Sequence, residues 1–230
     1  MFFNIFSSAR SDEWYWSLVP ISYNSQDKRN YTGKVILPMT VLEDLVIQNI
    51  QPPYIFELTN KEVGISTFCG VLEFTGEESV VLVPNWIHEQ LNLDSTTEVI
   101  IKHRRVVNGN FARLLPHSVD FLDLEAPKFE LEKCLREYQV LSPNDEIVLY
   151  FDEKGPLRFT VKEIKPPAKA IYIVDVDLKV DFLPPLGYEE KLNAEKSVLP
   201  FLEIIEGEEE FKEIRMKELG VFYDFNSLNK

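Results

Sequence analysis

Val35-Ile36-Leu37-Pro38-Met39-Thr40-Val41-Leu42-Glu43-Asp44-Leu45 recurs in outline as Val81-Leu82-Val83-Pro84-Asn85-Trp86-Ile87-His88-Glu89-Gln90-Leu91. Both copies place aliphatic residues before a proline, then Val or Ile, Glu and Leu at the same offsets. Proline is favoured at the first helical position, where its missing N–H would be unpaired anyway and its φ is already helical, so each copy predicts a strand running straight into a short helix. Val41 with Leu45, and Ile87 with Leu91, fall four apart and share one helical face, which predicts that each helix caps a sheet. Two such units form an internal repeat. They predict a small closed barrel built from two equivalent halves, a closure that also hides strand edges.

Outward from the repeat, residues 54–58 and 69–74 have strand length and β-branched or aromatic content, so the first half is mostly sheet. Residues 99–101 and 104–107 continue it. Asn108-Gly109-Asn110 reads as a hairpin turn before a further strand at 111–115. Pro127 opens an amphipathic helix with Leu131, Cys134, Leu135 and Tyr138 on one face and Glu130, Glu132, Lys133 and Glu137 on the other, ending before Ser142. Strand-like runs at 147–151, 157–164 and 170–174 complete an α+β subdomain. The expected division is an N-terminal arm (1–19), the barrel (20–115), the second subdomain (116–190) and an acidic docking tail (191–230), in which Glu206-Gly207-Glu208-Glu209-Glu210 lies among apolar clusters.

The 230 residues are 45% hydrophobic and 27% charged, inside the globular range. A formal net charge of −14 opposes a phosphate backbone, so no nucleic-acid partner is expected. No stretch reaches the ~18 apolar residues of a membrane span. The opening Met1-Phe2-Phe3-Asn4-Ile5-Phe6 lacks the basic segment and apolar length of a signal peptide. Cys69 and Cys134 stand far apart, which fits a reducing compartment. These features predict a soluble protein of cytoplasm or nucleus.

Neither G-x-x-x-x-G-K-[ST] nor G-x-G-x-x-G occurs, and His88, His103 and His117 show no H-E-x-x-H spacing, so neither a nucleotide cofactor nor a metal site is expected. His117-Ser118-Val119-Asp120 has the residue types of a hydrolase triad, but groups so close in sequence reach triad geometry rarely; the segment reads as a polar connector. Asp175, Asp177 and Asp181 fit a cation or, more simply, solvated charges. Lys102-His103-Arg104-Arg105 is either a charged solvent face or a site for an acidic or phosphate partner. Both cysteines sit among apolar neighbours, where a thiol is inert. Trp14, Trp16 and Trp86 read as core or staple residues. No catalytic set emerges, and binding is the better class.

Several colinear stretches resemble the ubiquitin fusion degradation protein one family. They are Tyr31-Thr32-Gly33-Lys34-Val35-Ile36-Leu37-Pro38, Phe56-Glu57-Leu58-Thr59-Asn60, Cys69-Gly70-Val71-Leu72-Glu73-Phe74 and Val83-Pro84-Asn85-Trp86 in the first half. Pro116-His117-Ser118-Val119-Asp120-Phe121-Leu122-Asp123, Lys165-Pro166, Val180-Asp181-Phe182 and Pro185-Leu186-Gly187-Tyr188 follow in the second. The resemblance covers residues 20–188. It implies an α+β, mainly β fold: a double-psi β-barrel followed by a mixed α/β roll.

The resemblance also implies a role. Family members bind ubiquitin and polyubiquitin chains and, with a nuclear-protein-localisation-four type partner, recruit ubiquitylated clients to a valosin-containing-protein type AAA ATPase, in cytoplasm and nucleus and at the cytosolic face of the ER. The implied activity is that of an adaptor, not an enzyme. Residues 192–230 contain no Phe-Gly-type motif of the kind by which the family docks on the ATPase, so direct docking is not carried over. For the ubiquitin contact, Val63, Ile65 and Phe68 form an apolar group near expected turns between two barrel strands, with burial in the barrel as the alternative. Two other functions fit the same residues: a structural module of the same assembly without ubiquitin binding, and an enzyme on a double-psi barrel.

Overall fold

The computed structural model describes residues 14–94 and 97–188; the tail at 191–230 and most of the arm lie outside them. The first part contains β1 (Trp16–Ser22), β2 (Lys34–Pro38), α1 (Met39–Ile47), β3 (Ile55–Asn60), β4 (Ser66–Gly76), β5 (Val80–Val83), α2 (Asn85–Gln90) and β6 (Val99–His103). Its strands close a barrel in the order β1-β5-β2-β4-β3-β6.

The ring carries the two-fold relation read from the repeat. Exchanging β2 with β5, β4 with β1 and β3 with β6 sends each pairing onto one of the same direction. The parallel pairs β1–β5 and β2–β4 interchange, as do the antiparallel pairs β1–β6 and β3–β4. The antiparallel contacts β2–β5 and β3–β6 map onto themselves. This is a double-psi β-barrel. Pro38 and Pro84 occupy the N-cap rather than the first helical position; their φ of −62° and −57° orients the chain, and the Pro84 carbonyl accepts from the Ile87 and His88 amides at 3.0 and 3.1 Å. Val41, Leu45, Ile87 and Leu91 are fully buried, as their spacing requires.

The second part contains β7 (Val107–Asn108), β8 (Phe111–Pro116), α3 (Pro127–Leu135), β9 (Val140–Leu141), β10 (Glu146–Phe151), β11 (Gly155–Lys165), β12 (Ile171–Tyr172) and β13 (Lys179–Phe182). They form a four-stranded sheet, β10-β11-β8-β13, and a three-stranded sheet, β7-β12-β9. Two strands cross expected boundaries: β1 starts ahead of residue 20, and β8 pairs with β11 and β13 rather than in the barrel.

Asn108-Gly109-Asn110 is not a hairpin turn. β7 pairs in parallel with β12, so the tripeptide carries the chain from one sheet to the other. The Gly109 amide donates to the Tyr172 carbonyl (2.8 Å), and a Cβ on Gly109 would lie 2.5 Å from Ile171 Cδ1. The glycine is needed for close approach rather than for a tight reversal.

α3 is shorter than its apolar spacing suggests. The Glu137 and Tyr138 amides bond three residues back, to Cys134 and Leu135, which tightens and ends the helix. Tyr138 therefore leaves the helix, and its hydroxyl donates to the Val148 carbonyl at 2.7 Å while Cys134 Sγ donates to Tyr150 at 2.9 Å. Two carbonyls of β10, an edge strand, are thus occupied. Trp86 Nε1–H donates to the Thr32 carbonyl (2.8 Å) and its ring lies 6.1 Å from that of Tyr138, tying the barrel to the second part. No helix among the described residues is long and apolar enough to cross a membrane.

Candidate functional site

The β3–β4 hairpin carries the apolar group expected to bind a partner. Asn60 builds it: its backbone N–H donates to the Ile65 carbonyl at 3.0 Å, its backbone carbonyl accepts from the Gly64 amide at 2.9 Å, and its side-chain carbonyl oxygen accepts from the Glu62 amide at 2.9 Å. Gly64 has φ +72°, a left-handed conformation that glycine adopts without steric cost. Asn60 Nδ2 donates to the Leu91 carbonyl (2.9 Å), so the hairpin base is pinned to the end of α2. Residues 61–66 are all exposed, and Val63 and Ile65 are 49% and 42% accessible at this tip.

Phe68 does not join them. It is 7% exposed and packs with Ile55, Val140 and Ala170, a cluster that spans the two parts of the molecule. Alternation along β4 puts Cys69 in the barrel core and Phe68 on the outer face of the barrel wall, beside Ile55, where the second part covers it. The hairpin therefore offers two apolar side chains, flanked by Lys61 and Glu62.

The other chemical candidates are dispersed. The Ser118 hydroxyl caps a short 3₁₀ turn, accepting from the Asp120 amide (3.1 Å) and donating to the Asp120 carboxylate (2.6 Å), while His117 Nε2 pairs with Thr160 Oγ1 at 2.6 Å. This is a connector. Asp181 takes Arg113 Nε at 2.9 Å. In the basic cluster, Arg104 Nε lies 2.7 Å from Glu57 Oε2, and Lys169 Nζ lies 3.6 Å from Glu57 Oε1, so the buried Glu57 is neutralised across the joint. Burial lowers the His103 pKa, raises that of the Cys69 thiol, and pushes the Cys134 thiol up to about 11, leaving both thiols protonated and inert. Among the described residues, no three His, Cys, Asp or Glu gather as metal ligands.

Asp145 is a buried acid that no sequence pattern singles out. Its carboxylate accepts from Thr67 Oγ1 (2.6 Å) on β4 and from Gln90 Nε2 (2.5 Å) on α2, and Gln90 Oε1 accepts from the Glu146 amide (2.9 Å). Burial raises its pKa to about 6 against the lowering effect of those hydrogen bonds. Nothing in Ser142-Pro143-Asn144-Asp145 marks it apart from an ordinary loop, because its burial comes from α2 and β4.

Two family models match the chain: ubiquitin fusion degradation protein UFD1, N-terminal subdomain 1, over residues 12–107, and N-terminal subdomain 2 over residues 108–185. The chain is 39% identical over 167 residues to ubiquitin fusion degradation protein 1 of Saccharomyces cerevisiae, covering 72% of this chain and 46% of that protein. It is 40% identical over 162 residues to the Caenorhabditis elegans homolog, covering 70% and 47%. With the human ubiquitin recognition factor in ER-associated degradation protein 1 it shares 38% identity over 158 residues, covering 69% and 51%. The chain spans about half the length of the curated relatives it matches.

Proposed function

The chain belongs to the ubiquitin fusion degradation protein UFD1 family, and from that premise we propose that it is an adaptor, not an enzyme, that recognises ubiquitin and polyubiquitin on proteins marked for degradation. The observation that carries this reading is the match of both UFD1 subdomain models across the described fold, with a relative named as a ubiquitin recognition factor. The contact surface is the tip of the β3–β4 hairpin, where Val63 and Ile65 form a small apolar centre inside a polar rim, the pattern of a modest interface. Such a contact is weak alone and gains by avidity when several moieties of one chain are engaged. The recognition unit, expected from residue 20 to 190, takes in the whole of β1 from Trp16, which closes the barrel, and residues 191–230 supply a docking tail. Delivery to a valosin-containing-protein type AAA ATPase, together with a nuclear-protein-localisation-four type partner, completes the reading, with action in cytoplasm and nucleus and at the cytosolic face of the ER.

The test is titration of labelled ubiquitin and of a covalently linked ubiquitin tetramer into the full chain and into its Val63→Glu/Ile65→Glu variant. Saturable binding that favours the tetramer, weakened about 10-fold or more in the variant, is expected. Absence of binding to either ligand overturns the adaptor reading. Undiminished binding by the variant, with its melting temperature intact, removes the hairpin from the site.

A further inference from the structure

α1 has two apolar faces. Val41 and Leu45 face the core and make its packing contact. Met39, Leu42 and Val46 follow each other at helical spacing on another side, with Ile47 next to them; Leu42 is half-buried, and Met39, Val46 and Ile47 are 48%, 63% and 81% exposed. Each exposed apolar side chain on this second face forgoes burial free energy while contributing nothing to the core, so the face gains by being covered. Acidic groups border this outer face. Glu43 lies within it, and Thr40 Oγ1 donates to Glu78 (3.0 Å), which with Glu77 stands exposed beside the start of the helix. The imbalance is wider than the helix. Between residues 35 and 101, Lys61 is the only Lys or Arg, against ten Asp and Glu.

From this pairing of an apolar helix face that no other described residue covers with an acidic collar, we infer that the outer face of α1 is a docking surface for a cationic amphipathic helix of a partner protein. The partner's apolar stripe covers Val46 and Ile47 while its Lys and Arg side chains meet Glu43, Glu77 and Glu78, and the field of the barrel speeds its approach. The surface is separate from the β3–β4 hairpin and does not depend on ubiquitin recognition.

The probe is a synthetic helix of Leu and Lys, titrated into the full chain by calorimetry and by methyl NMR, beside a Leu/Glu helix and a Ser/Lys peptide of equal charge. Saturable binding of the Leu/Lys helix alone is expected, with shifts centred on the Met39, Val46 and Ile47 methyls. Val46→Ser/Ile47→Ser and Glu43→Lys should each weaken it about 10-fold or more, and raised salt should weaken it further. Equal binding of the Ser/Lys peptide, or binding unchanged in Val46→Ser/Ile47→Ser, overturns the proposal, since exposed residues outside the core leave the fold intact. A chain lacking residues 1–13 that binds about 10-fold tighter, or affinity that falls with rising chain concentration, would assign the face to the chain's own first residues or to a second copy, and also overturns it. Ubiquitin shifting the same methyls would move ubiquitin to α1 and overturn the separate partner, while the adaptor reading would stand; loss of ubiquitin binding in Val63→Glu/Ile65→Glu bears on that reading alone.

Discussion

Asp145 is a buried carboxylate whose hydrogen-bond donors, Thr67 and Gln90, are neutral. Its folded pKa of about 6 stands above the ordinary 3.8, so between those values the folded chain holds a proton that the unfolded chain has released. The associated stability is complete below about pH 4 and is lost as pH rises through about 6. Above that range, the ionised group costs roughly 3 kcal/mol, from 1.36 kcal/mol per pKa unit. In Asp145→Asn the amide keeps an acceptor for Gln90, and its NH₂ can donate to the Thr67 hydroxyl, which accepts as readily as it donates. Urea melts should therefore show Asp145→Asn gaining up to about 3 kcal/mol over the parent at pH 7.5 and nothing at pH 4; an offset independent of pH would reject this account. A steric pair lies in the same joint. A Cβ on Gly33 would stand 2.5 Å from the buried Tyr138 ring, and one on Gly70 would meet the end of the Gln139 side chain. The ring cannot move and the Gln139 chain partly can. Gly33→Val is thus expected to cost more than Gly70→Val, both beyond the ~1–3 kcal/mol of ordinary overpacking, as read by thermal melts.

At the scale of elements, the sequence was most legible where one short pattern carried its own geometry. Three aliphatics, a proline and two apolar residues four apart are enough to specify a strand, its stop, a helix and the buried face of that helix, and both copies fold that way. The pattern says nothing about the far face of α1, although Met39, Leu42 and Val46 were there to be counted. β7, β12 and the crossing at Gly109 were not legible, because two-residue strands are defined by their partners and Asn-Gly is equally at home in a hairpin and in a close pass between sheets. The candidate site divides similarly: Val63 and Ile65 sit in a turn signalled by Gly64, whereas the burial of Phe68 depends on Val140 and Ala170, more than 70 residues on. The equivalence of the two helices has a measurable consequence. Leu45→Ala and Leu91→Ala should cost similar amounts, about 2–5 kcal/mol each, while Ile47→Ala should stay within about 0.5 kcal/mol of the parent in urea melts. Unequal costs for the two leucines would show that the halves are packed differently despite their shared topology.

For the whole molecule, two family models meet at residues 107 and 108, yet the packing does not stop there. Ile55 and Phe68 of the barrel are buried against Val140 and Ala170 of the second part, and Trp86 lies against Tyr138. Polar contacts reinforce this seam: Gln90 and Thr67 hold Asp145, Lys34 pairs with Glu137 at 3.1 Å, and Arg158 pairs with Glu89 at 2.8 Å. The exposed ion pairs add little individually. The apolar seam matters more, since each large side chain moved from it into water forfeits about 1.5–3 kcal/mol, and separating the parts would also leave Thr67 and Asp145 without their partners. Neither part therefore keeps its core when the other unfolds, and the chain should melt in one transition. Tryptophan fluorescence, which reports buried Trp16 and Trp86 and exposed Trp14, all on the barrel side, should coincide in denaturant with far-ultraviolet circular dichroism and with hydrogen exchange in β10 and β11. A chain ending after Glu190 retains every described contact, including buried Tyr188 and the Leu186 amide donating to the Pro116 carbonyl, and should melt within about 3 °C of the full chain, a shift below ~1 kcal/mol at this size. One ending after Phe182 loses those contacts and should melt lower. Fluorescence and exchange transitions that separate would show two independently stable parts, and the seam would then be a docking contact rather than part of a shared core.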